Sequence, residues 1–220
     1  MRIAILFSGR IQRYKEHYHN ILFAIGQDHE VDFFLSHSPE CIEPLDDFIE
    51  LYKPKTANNN PIHYLDATQY KCHPESNSHN MMCMWVNRKR VFEDMRLYMV
   101  LNNIWYDLVI STRLDLWCYQ LLDYTTLLDP TKMTHKDIFV PEGQDWGGLN
   151  DQMAIGNFYA MEQYMTLYDH MKDIIERVMI TNGTYGPEPV LSTHVEMVGL
   201  KVHRFPLEYR LINGKMYHAP

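Results

Sequence analysis

Two kinds of hydrophobic pattern alternate along the chain. Continuous apolar runs of a few residues are typical of strands that are buried on both faces of a sheet. They occupy residues 2–7, 31–36, 62–65, 108–112, 138–140, 153–156 and 201–205. Between these runs, apolar residues recur every three or four positions, which predicts helices over residues 14–25, 45–51, 81–104, 159–179 and 188–198. The alternation predicts an α/β fold with a central, mostly parallel (mixed) sheet flanked by helices.

The length and the composition of the chain fit a single domain. With 220 residues, 46% of them apolar, the chain can bury a sizeable core, and no linker or internal repeat divides it. We therefore expect residues 1–220 to form one domain. The net charge of −8 excludes a general nucleic-acid binder, because no basic stripe is present to neutralise phosphates. A small phosphorylated ligand held by one or two arginines remains compatible with this charge.

The cysteines and the lengths of the apolar runs predict where in the cell the protein is found. The four cysteines, the first of which is Cys41, form no CxxC pair, and this is typical of reduced thiols inside a cell. Cys72, His73, His79 and Cys83 lie close together, but their spacing matches no common zinc motif. The first apolar run is too short for a signal peptide, and no run has membrane-spanning length. We therefore expect a soluble, cytoplasmic protein without a membrane span.

The first apolar run ends in Ser8, Gly9 and Arg10. In open α/β sheets, ligands bind beyond the carboxyl ends of the strands. A glycine lets backbone N–H groups approach a phosphate, and an arginine can bind it through two hydrogen bonds. The glycine patterns of dinucleotide-binding folds and of P-loops are absent. These three residues are therefore candidates for binding a phosphorylated ligand of another kind.

The run at 108–112 is followed by Arg113 and Asp115. A carboxylate at the end of a buried strand can hold a divalent cation that bridges a diphosphate, and the arginine can stabilise the same charge. The alternative is an Arg–Asp pair that closes the strand end and has no ligand. A third arginine, Arg88, lies on the apolar face of the predicted helix 81–104. It either reaches the diphosphate or extends its head group back to water.

The segment DWGGLND is a candidate sugar-binding loop. An aromatic ring can stack on a sugar, a flexible backbone can follow it, and an amide and a carboxylate can bind its hydroxyls. The residues concerned are Trp146, Gly147, Gly148, Asn150 and Asp151. Asp151 could act as a general base toward a sugar hydroxyl. The alternative is a glycine-rich surface turn.

Glu188 follows a Gly-Pro pair and opens the last predicted helix. We include it among the candidate acceptor or sugar-binding residues. Its alternative role is that of an acidic residue in a first helical turn, where the helix dipole favours negative charge.

These motifs come in a fixed order along the chain. An apolar strand runs into SGR, a helix carries Met81, Met82 and Arg88, and YDLVISTRLDL, IFVP, GGLNDQMAIGN, a tyrosine-rich helix and GPE follow. Over residues 2–210 this order resembles nucleotide-sugar glycosyltransferases of the GT-A type, which carry a DxD-like motif. More narrowly, it is similar to small domains of this kind from bacterial polysaccharide clusters and large algal viruses, where the viral ones glycosylate capsid proteins.

The resemblance implies a hexosyl- or deoxyhexosyltransferase that uses a UDP-sugar donor, a glycan or glycoprotein acceptor, and Mn²⁺ or Mg²⁺. It places the protein in the cytoplasm, or the host cytoplasm for a viral protein, and allows it to be part of a larger polypeptide. Arg113 stands where the first aspartate of DxD is usual, so that only Asp115 matches the metal-binding position. His194, His203 and His218 are the candidates to complete the metal shell. The rival functions are a non-catalytic nucleotide-sugar or carbohydrate-binding module and a metal-dependent nucleotide-sugar hydrolase.

Overall fold

A computed structural model describes residues 1–26, 28–38, 44–124, 128–212 and 215–217, the last of these by their backbone alone. Cys41 and His218, which were considered above, lie outside the described residues. None of the described helices combines the length and the apolarity that crossing a membrane requires.

The described residues form ten strands in two sheets. The strands are β1 (Arg2–Gly9), β2 (Glu30–His37), β3 (Thr56–Asn58), β4 (Leu108–Thr112), β5 (Leu116–Cys118), β6 (Asp137–Pro141), β7 (Met153–Gly156), β8 (Lys201–Phe205), β9 (Tyr209–Leu211) and β10 (Lys215–Tyr217). Seven strands form the main sheet in the order β3-β2-β1-β4-β7-β6-β8. Only β7 runs antiparallel to its neighbours, so the predicted mixed, mostly parallel sheet is confirmed.

Helices cover both faces of the main sheet. They are α1 (Tyr14–Ile25), α2 (Leu45–Tyr52), α3 (Ser78–Asn102), α4 (Phe158–Met165), α5 (Met171–Asn182) and α6 (Pro187–Met197), with a 3-10 turn at Thr166–His170 between α4 and α5. The side chains of β1 alternate between two cores. Ile3 and Ile5 pack with α1 and α2, whereas Ala4 and Leu6 pack with α3 and the later helices. Because both faces are covered, the central strands read as continuous apolar runs.

A small antiparallel sheet lies beside the main one and consists of β10, β9 and β5. The sequence pattern did not predict it, because its strands are only three residues long. It follows β4 directly, and the N–H of Ile212 donates a hydrogen bond of 2.8 Å to the carbonyl of Asp115. The small sheet therefore anchors the segment that leaves the end of β4.

Two predicted elements differ from the structure. Residues 62–65 form no strand, and the edge strand is instead β3, within a segment that reads as a polar turn. Polar contacts hold β3 there, since Asn58 binds both Asp94 and Arg90 of α3. The predicted helix 159–179 is interrupted by the 3-10 turn, which keeps Leu167 fully buried while the chain changes direction between α4 and α5.

Asp32 is the centre of a charged cluster at the sheet edge where β2 begins. Its carboxylate accepts hydrogen bonds from Arg2 (2.9 Å) and from the hydroxyl of Tyr106 (2.7 Å), and it pairs with Lys55 at 3.1 Å. Burial opposes the ionisation of Asp32, but the bonds from Tyr106, Lys55 and Arg2 outweigh it and lower the pKa. The cluster thus connects β1, β2 and the segments that precede β3 and β4.

The first prediction concerns this cluster. Because the pKa of Asp32 is lower in the folded protein, its contribution to stability is present at neutral pH and is lost as the pH falls through that pKa. We expect Asp32→Asn to lower the free energy of unfolding at pH 7 by on the order of 2–3 kcal/mol, with a smaller loss at acid pH. Urea unfolding at several pH values measures the loss and its dependence on pH.

The exposed Asp173 provides the control, Asp173→Asn. A loss for Asp32→Asn that is the same at every pH would contradict the electrostatic explanation.

Candidate active site

One edge of the main sheet collects the polar segments that the sequence singled out. The carboxyl ends of β1, β4 and β6 lie at this edge, and so does the beginning of the antiparallel β7. The segment after β1 carries Ser8 to Arg10, and the segment after β4 carries Arg113 and Asp115. The loop between β6 and β7 carries residues 143–151. The topology therefore brings all three segments together.

The first half of α3 lies across the same edge. Asn80, Met84 and Arg88 are four residues apart and form one stripe of the helix. The start of α3 is fixed by Asn77, whose side chain accepts a hydrogen bond of 2.9 Å from the N–H of Asn80. As a result, α3 presents an amide, a thioether and a guanidinium to the strand ends.

A cavity of about 350 Å³ lies between the strand ends and α3, and we call it the strand-end pocket. All six residues predicted to bind the donor line it: Ser8, Gly9, Arg10, Arg88, Arg113 and Asp115. Among the other lining residues, the sequence analysis considered only His79 and Cys83, and it considered them as part of a Cys/His cluster. The remaining ones are Gln12, Ser38, Asn80, Met84 and Leu114. The four-residue spacing of Asn80 and Met84 before Arg88 is the signal that could have identified those two.

The carboxylate of Asp115 is occupied by protein groups. Arg113 donates to its two oxygens from Nε (2.7 Å) and Nη2 (2.8 Å), and Gln12 donates to Oδ2 at 2.8 Å. The side chain of Asp115 is only 2% exposed, while a third of the Arg113 side chain reaches the surface. Burial alone would raise the pKa of Asp115, but the bonds from Arg113 reverse this and lower it. This geometry corresponds to the alternative in which the pair closes the strand end.

The predicted metal shell is not assembled by the described residues. Among them, no three His, Cys, Asp or Glu side chains are placed to hold a metal ion. His203 binds Asp137 at 2.8 Å at the start of β6, on the opposite edge of the sheet. His194 is fully buried and bonds to the carbonyl of Gln163 at 2.7 Å. The donor set around Asp115 therefore does not fit a metal held mainly by protein side chains.

The side chain of Arg88 is 5% exposed. Its position agrees fully with neither of its two predicted roles, which were to reach the diphosphate or to extend its head group to water. Its Nη2 donates to the backbone carbonyl of Asp151 and lies 3.6 Å from the carboxylate oxygen Oδ2. The guanidinium also stacks over Trp85, 4.4 Å from the ring centroid. Within the described residues, Nη1 is buried without a hydrogen-bond partner. Arg88 thus does not return to water; it lines the strand-end pocket and holds the segment before β7.

A second, larger cavity of about 1170 Å³ adjoins the first, and we call it the loop pocket. Four of the predicted acceptor residues line it: Trp146, Gly147, Asp151 and Glu188. Gln152, which the sequence did not single out, lines it as well. The two pockets have a common wall that consists of Asn80, Met84 and Arg113. A ligand that extends from one pocket to the other would pass this wall.

The remaining two acceptor candidates, Gly148 and Asn150, support the loop from behind. Asn150 is fully buried, and its amide nitrogen donates to the carbonyl of Gly143 (2.8 Å) and to the hydroxyl of Tyr209 (3.0 Å). Its oxygen accepts from the N–H of Gln152 at 2.9 Å. Protein groups thus occupy the polar atoms of Asn150 in this structure, and its assignment as a sugar ligand stays a prediction.

The backbone of the loop is held in an uncommon conformation. Gln144 and Trp146 have positive φ angles of 57° and 41°, which are costly for residues other than glycine. Trp146 is nevertheless 66% exposed. The loop therefore projects a large aromatic ring into solvent at the rim of the loop pocket, as expected for a platform that binds a flat apolar surface.

Gly148 makes a close approach to the beginning of α6. A Cβ atom at this position would lie 2.1 Å from the carbonyl carbon of Glu188. The next residue, Leu149, donates its N–H to the carbonyl of Glu188 at 3.1 Å. Only glycine lets the loop pack this tightly, and the contact fixes the position of Glu188.

The carboxyl group of Glu188 is electrostatically distinct. Its pKa is raised from the ordinary 4.5 to about 7, first by burial and then by the nearby negative charge of Asp151. Asp145 adds to this effect, while Arg88 opposes it. Perturbed carboxyl groups in clefts are candidates for proton transfer. The sequence could not identify this property, because it depends on tertiary burial.

Comparison with known proteins identifies solved structures with a similar fold. Neither the family models nor the curated protein sequences give a match. The structure of mouse xyloside xylosyltransferase 1 is similar, with a TM-score of 0.55 and 12% identity over 94% of this chain and 86% of that one. The galactosyltransferase LgtC, solved with donor and acceptor sugar analogs, has a TM-score of 0.51 and 13% identity over 86% and 69%.

The glycosyltransferase GlyE of Streptococcus pneumoniae TIGR4 has a TM-score of 0.48 and 14% identity, and this chain spans only 45% of its length. The two structures with the higher scores share the arrangement of sheet and helices found here. The chain therefore has a GT-A-like α/β fold, as the sequence predicted. At these identities the similarity concerns the fold, and the function has to be argued from the site.

The second prediction tests the contact between Gly148 and Glu188. We expect Gly148→Ala to displace the loop from α6 and to lower the melting temperature, because backbone atoms cannot yield to the added Cβ. Ligands of the strand-end pocket should bind as before, since Gly148 does not line it. Differential scanning fluorimetry and calorimetric titration with UDP measure the two effects. Gly147→Ala is the matched control, because open space surrounds that position, although its positive φ adds some strain. Equal melting temperatures for Gly148→Ala and the wild type would contradict the prediction.

The third prediction concerns Asp115. Because Arg113 and Gln12 hold this carboxylate, we expect Asp115→Asn to lower the free energy of unfolding by on the order of 2 kcal/mol at pH 7. The lowered pKa means that the difference from wild type shrinks as the pH falls through it. Urea unfolding with and without Mn²⁺ measures both. If Mn²⁺ stabilises the wild type but not Asp115→Asn, then Asp115 binds metal and its pairing with Arg113 is secondary.

Proposed function

We propose that the protein is a glycosyltransferase that moves a sugar from a UDP-sugar to a glycan or glycoprotein. The observation that carries the proposal is the common wall of the two pockets. One pocket is lined by three arginines, and the other by an exposed aromatic ring and carboxyl groups that include those of Asp151 and Glu188. A sugar bound at Arg113, between them, would face a diphosphate on one side and an acceptor hydroxyl on the other.

The strand-end pocket suits a diphosphate. Arg10 is exposed, the guanidinium of Arg113 is partly exposed, and Arg88 has a buried N–H group that the described protein atoms leave unpartnered. Gly9 has a φ of 103°, which lets its backbone come close to a ligand. Charge that develops on the leaving diphosphate would be offset by these groups, and such preorganised groups contribute strongly to catalysis.

The resemblance implies Mn²⁺ or Mg²⁺, which would supply positive charge to the diphosphate when bound. The residues around Asp115 do not provide a shell for it, so the three arginines carry the charge compensation in this proposal. The transfer of a hexose or a deoxyhexose, a capsid-protein or polysaccharide acceptor and a cytoplasmic location remain predictions of the resemblance.

The loop pocket suits a hydroxyl-rich acceptor. Trp146 offers an exposed ring on which a sugar can stack, and Gln152 and Asp151 offer polar groups at the base of the pocket. Its volume exceeds that of the strand-end pocket more than threefold, which leaves room for more than one sugar unit. These features support an oligosaccharide or a glycosylated polypeptide as the acceptor.

The fourth prediction tests nucleotide binding with two exposed arginines that are three residues apart. We expect Arg10→Gln to weaken UDP binding about tenfold, because a charge-assisted contact of roughly 1.5 kcal/mol is lost. Arg13→Gln should leave the affinity unchanged, because Arg13 does not line the strand-end pocket. Calorimetric titration measures the affinities, and UDP should bind more tightly than GDP or ADP. Equal changes in UDP affinity for the two substitutions would contradict the proposal that the strand-end pocket binds the diphosphate.

Turnover separates the proposed function from its rivals. A glycosyltransferase releases UDP from one member of a UDP-sugar panel faster when a mixture of glycan acceptors is added. A hydrolase releases UDP at the same rate without an acceptor, and a binding module binds the donor without turnover.

A further inference from the structure

Glu188 is held at a defined place in the loop pocket. It is the second residue of α6, and its carbonyl accepts the N–H of Leu149 at 3.1 Å. The absence of a side chain at Gly148 lets the loop pack directly on its backbone. The backbone of Glu188 is therefore held in place by the loop. Glu188 lines the same cavity as Asp151 and Trp146.

The carboxyl groups of Asp151 and Glu188 have different surroundings. In Asp151, Oδ1 accepts a hydrogen bond of 2.8 Å from Gln152, and Oδ2 lies 3.6 Å from the guanidinium of Arg88. Its side chain is almost completely buried. The carboxyl group of Glu188 has no hydrogen bond or ion pair with another residue in the part of the chain that the structure describes, and Glu188 is partly exposed. Glu188 is therefore the one of the two that is accessible to an incoming hydroxyl.

We propose that Glu188, rather than Asp151, accepts the proton of the attacking acceptor hydroxyl, and that the Arg88–Asp151 pair connects Glu188 to the charge in the strand-end pocket. This inference rests on the proposed function. The acceptor oxygen forms a bond to the anomeric carbon, and the bond from that carbon to the β-phosphate oxygen breaks. The electron pair of the broken bond stays on the leaving UDP, and the hydroxyl proton moves to Glu188. A single displacement of this kind inverts the anomeric configuration.

The surrounding charges fit this role. A general base works best when its pKa is near the working pH, and burial together with Asp151 brings Glu188 to about 7. Asp145 also raises the pKa, while Arg88 and the N–H at the start of α6 lower it. His73, Glu75 and Arg113 are the other ionisable residues that line the pocket.

The position of Arg88 has a consequence for donor binding. Arg88 lines the strand-end pocket and lowers the pKa of Glu188 from there. A diphosphate beside Arg88 offsets this positive charge and brings negative charge closer, so the pKa of Glu188 rises when the donor binds. The ionised form of Glu188 thereby becomes a stronger base once the donor is in place, while a smaller fraction of Glu188 is ionised at a given pH. By linkage, UDP binding near neutral pH is accompanied by the uptake of protons.

A titration of the free protein tests the electrostatic part without any substrate. In protein labelled with ¹³C on the glutamate carboxyl groups, one NMR resonance should titrate near pH 7 and be missing in Glu188→Gln. Saturating UDP should move its midpoint to higher pH. A midpoint near 4.5 in both states, or a midpoint that UDP moves downward, would overturn the proposal. If UDP does not bind at all, the proposed function fails, while the titration of the free protein still reports on Glu188.

Kinetics test the catalytic part with the UDP-sugar and acceptor found in the turnover panel. Glu188→Gln should lower kcat by a hundredfold or more, leave the affinity for UDP within about twofold, and abolish the dependence of kcat on a group that titrates near neutral pH. Glu196→Gln, on the same helix α6, is the matched control and should keep the wild-type kcat. NMR of the product should show an inverted anomeric centre. Normal kcat in Glu188→Gln, or a retained configuration, would refute the role of Glu188 while leaving the transferase function intact.

Discussion

The buried contact between Arg88 and Asp151 is the interaction on which the candidate site depends. It joins α3 to the segment that precedes β7, and it lies between the two pockets. A guanidinium that is removed from water is costly unless charge and hydrogen bonds compensate it. Here the carboxylate and the carbonyl of Asp151 and the ring of Trp85 supply part of that compensation. The arrangement fixes α3 against the sheet edge and keeps a positive charge at the base of the strand-end pocket.

The fold was predictable where burial alone determines the structure. The strand Leu108–Thr112 has the predicted bounds, because a strand that is covered on both faces must be apolar throughout. Prediction failed where polar contacts decide the outcome. The edge strand Thr56–Asn58 is held by the bonds of Asn58 to Arg90 and Asp94, and hydrophobic patterns carry no information on such contacts. The three short strands of the small sheet fall below the length at which an alternating pattern can be recognised.

The sequence predicted where the candidate site lies better than it predicted the role of each residue in it. The rule that ligands bind at strand ends identified five of the six lining residues that were assigned to the donor, and Arg88 was identified by its position on the apolar face of a predicted helix. The sequence could not separate the roles of the neighbouring residues Asn150 and Asp151. In the structure, the side chain of Asn150 is hydrogen-bonded within the loop, whereas Asp151 lines the loop pocket. The engagement of Asp115 by Gln12 joins residues that are distant in the sequence, and only the folded chain brings them together.

The account depends most on the claim that the two adjoining pockets are the donor and acceptor halves of one site, with Arg113 between them. A crystal structure of the protein with UDP tests this claim directly. The account predicts the diphosphate in the strand-end pocket, with its oxygens within hydrogen-bond distance of Arg10 and Arg113 and its terminal phosphate directed toward the wall formed by Asn80, Met84 and Arg113. UDP bound outside the strand-end pocket, or with its terminal phosphate directed away from the loop pocket, would contradict the account.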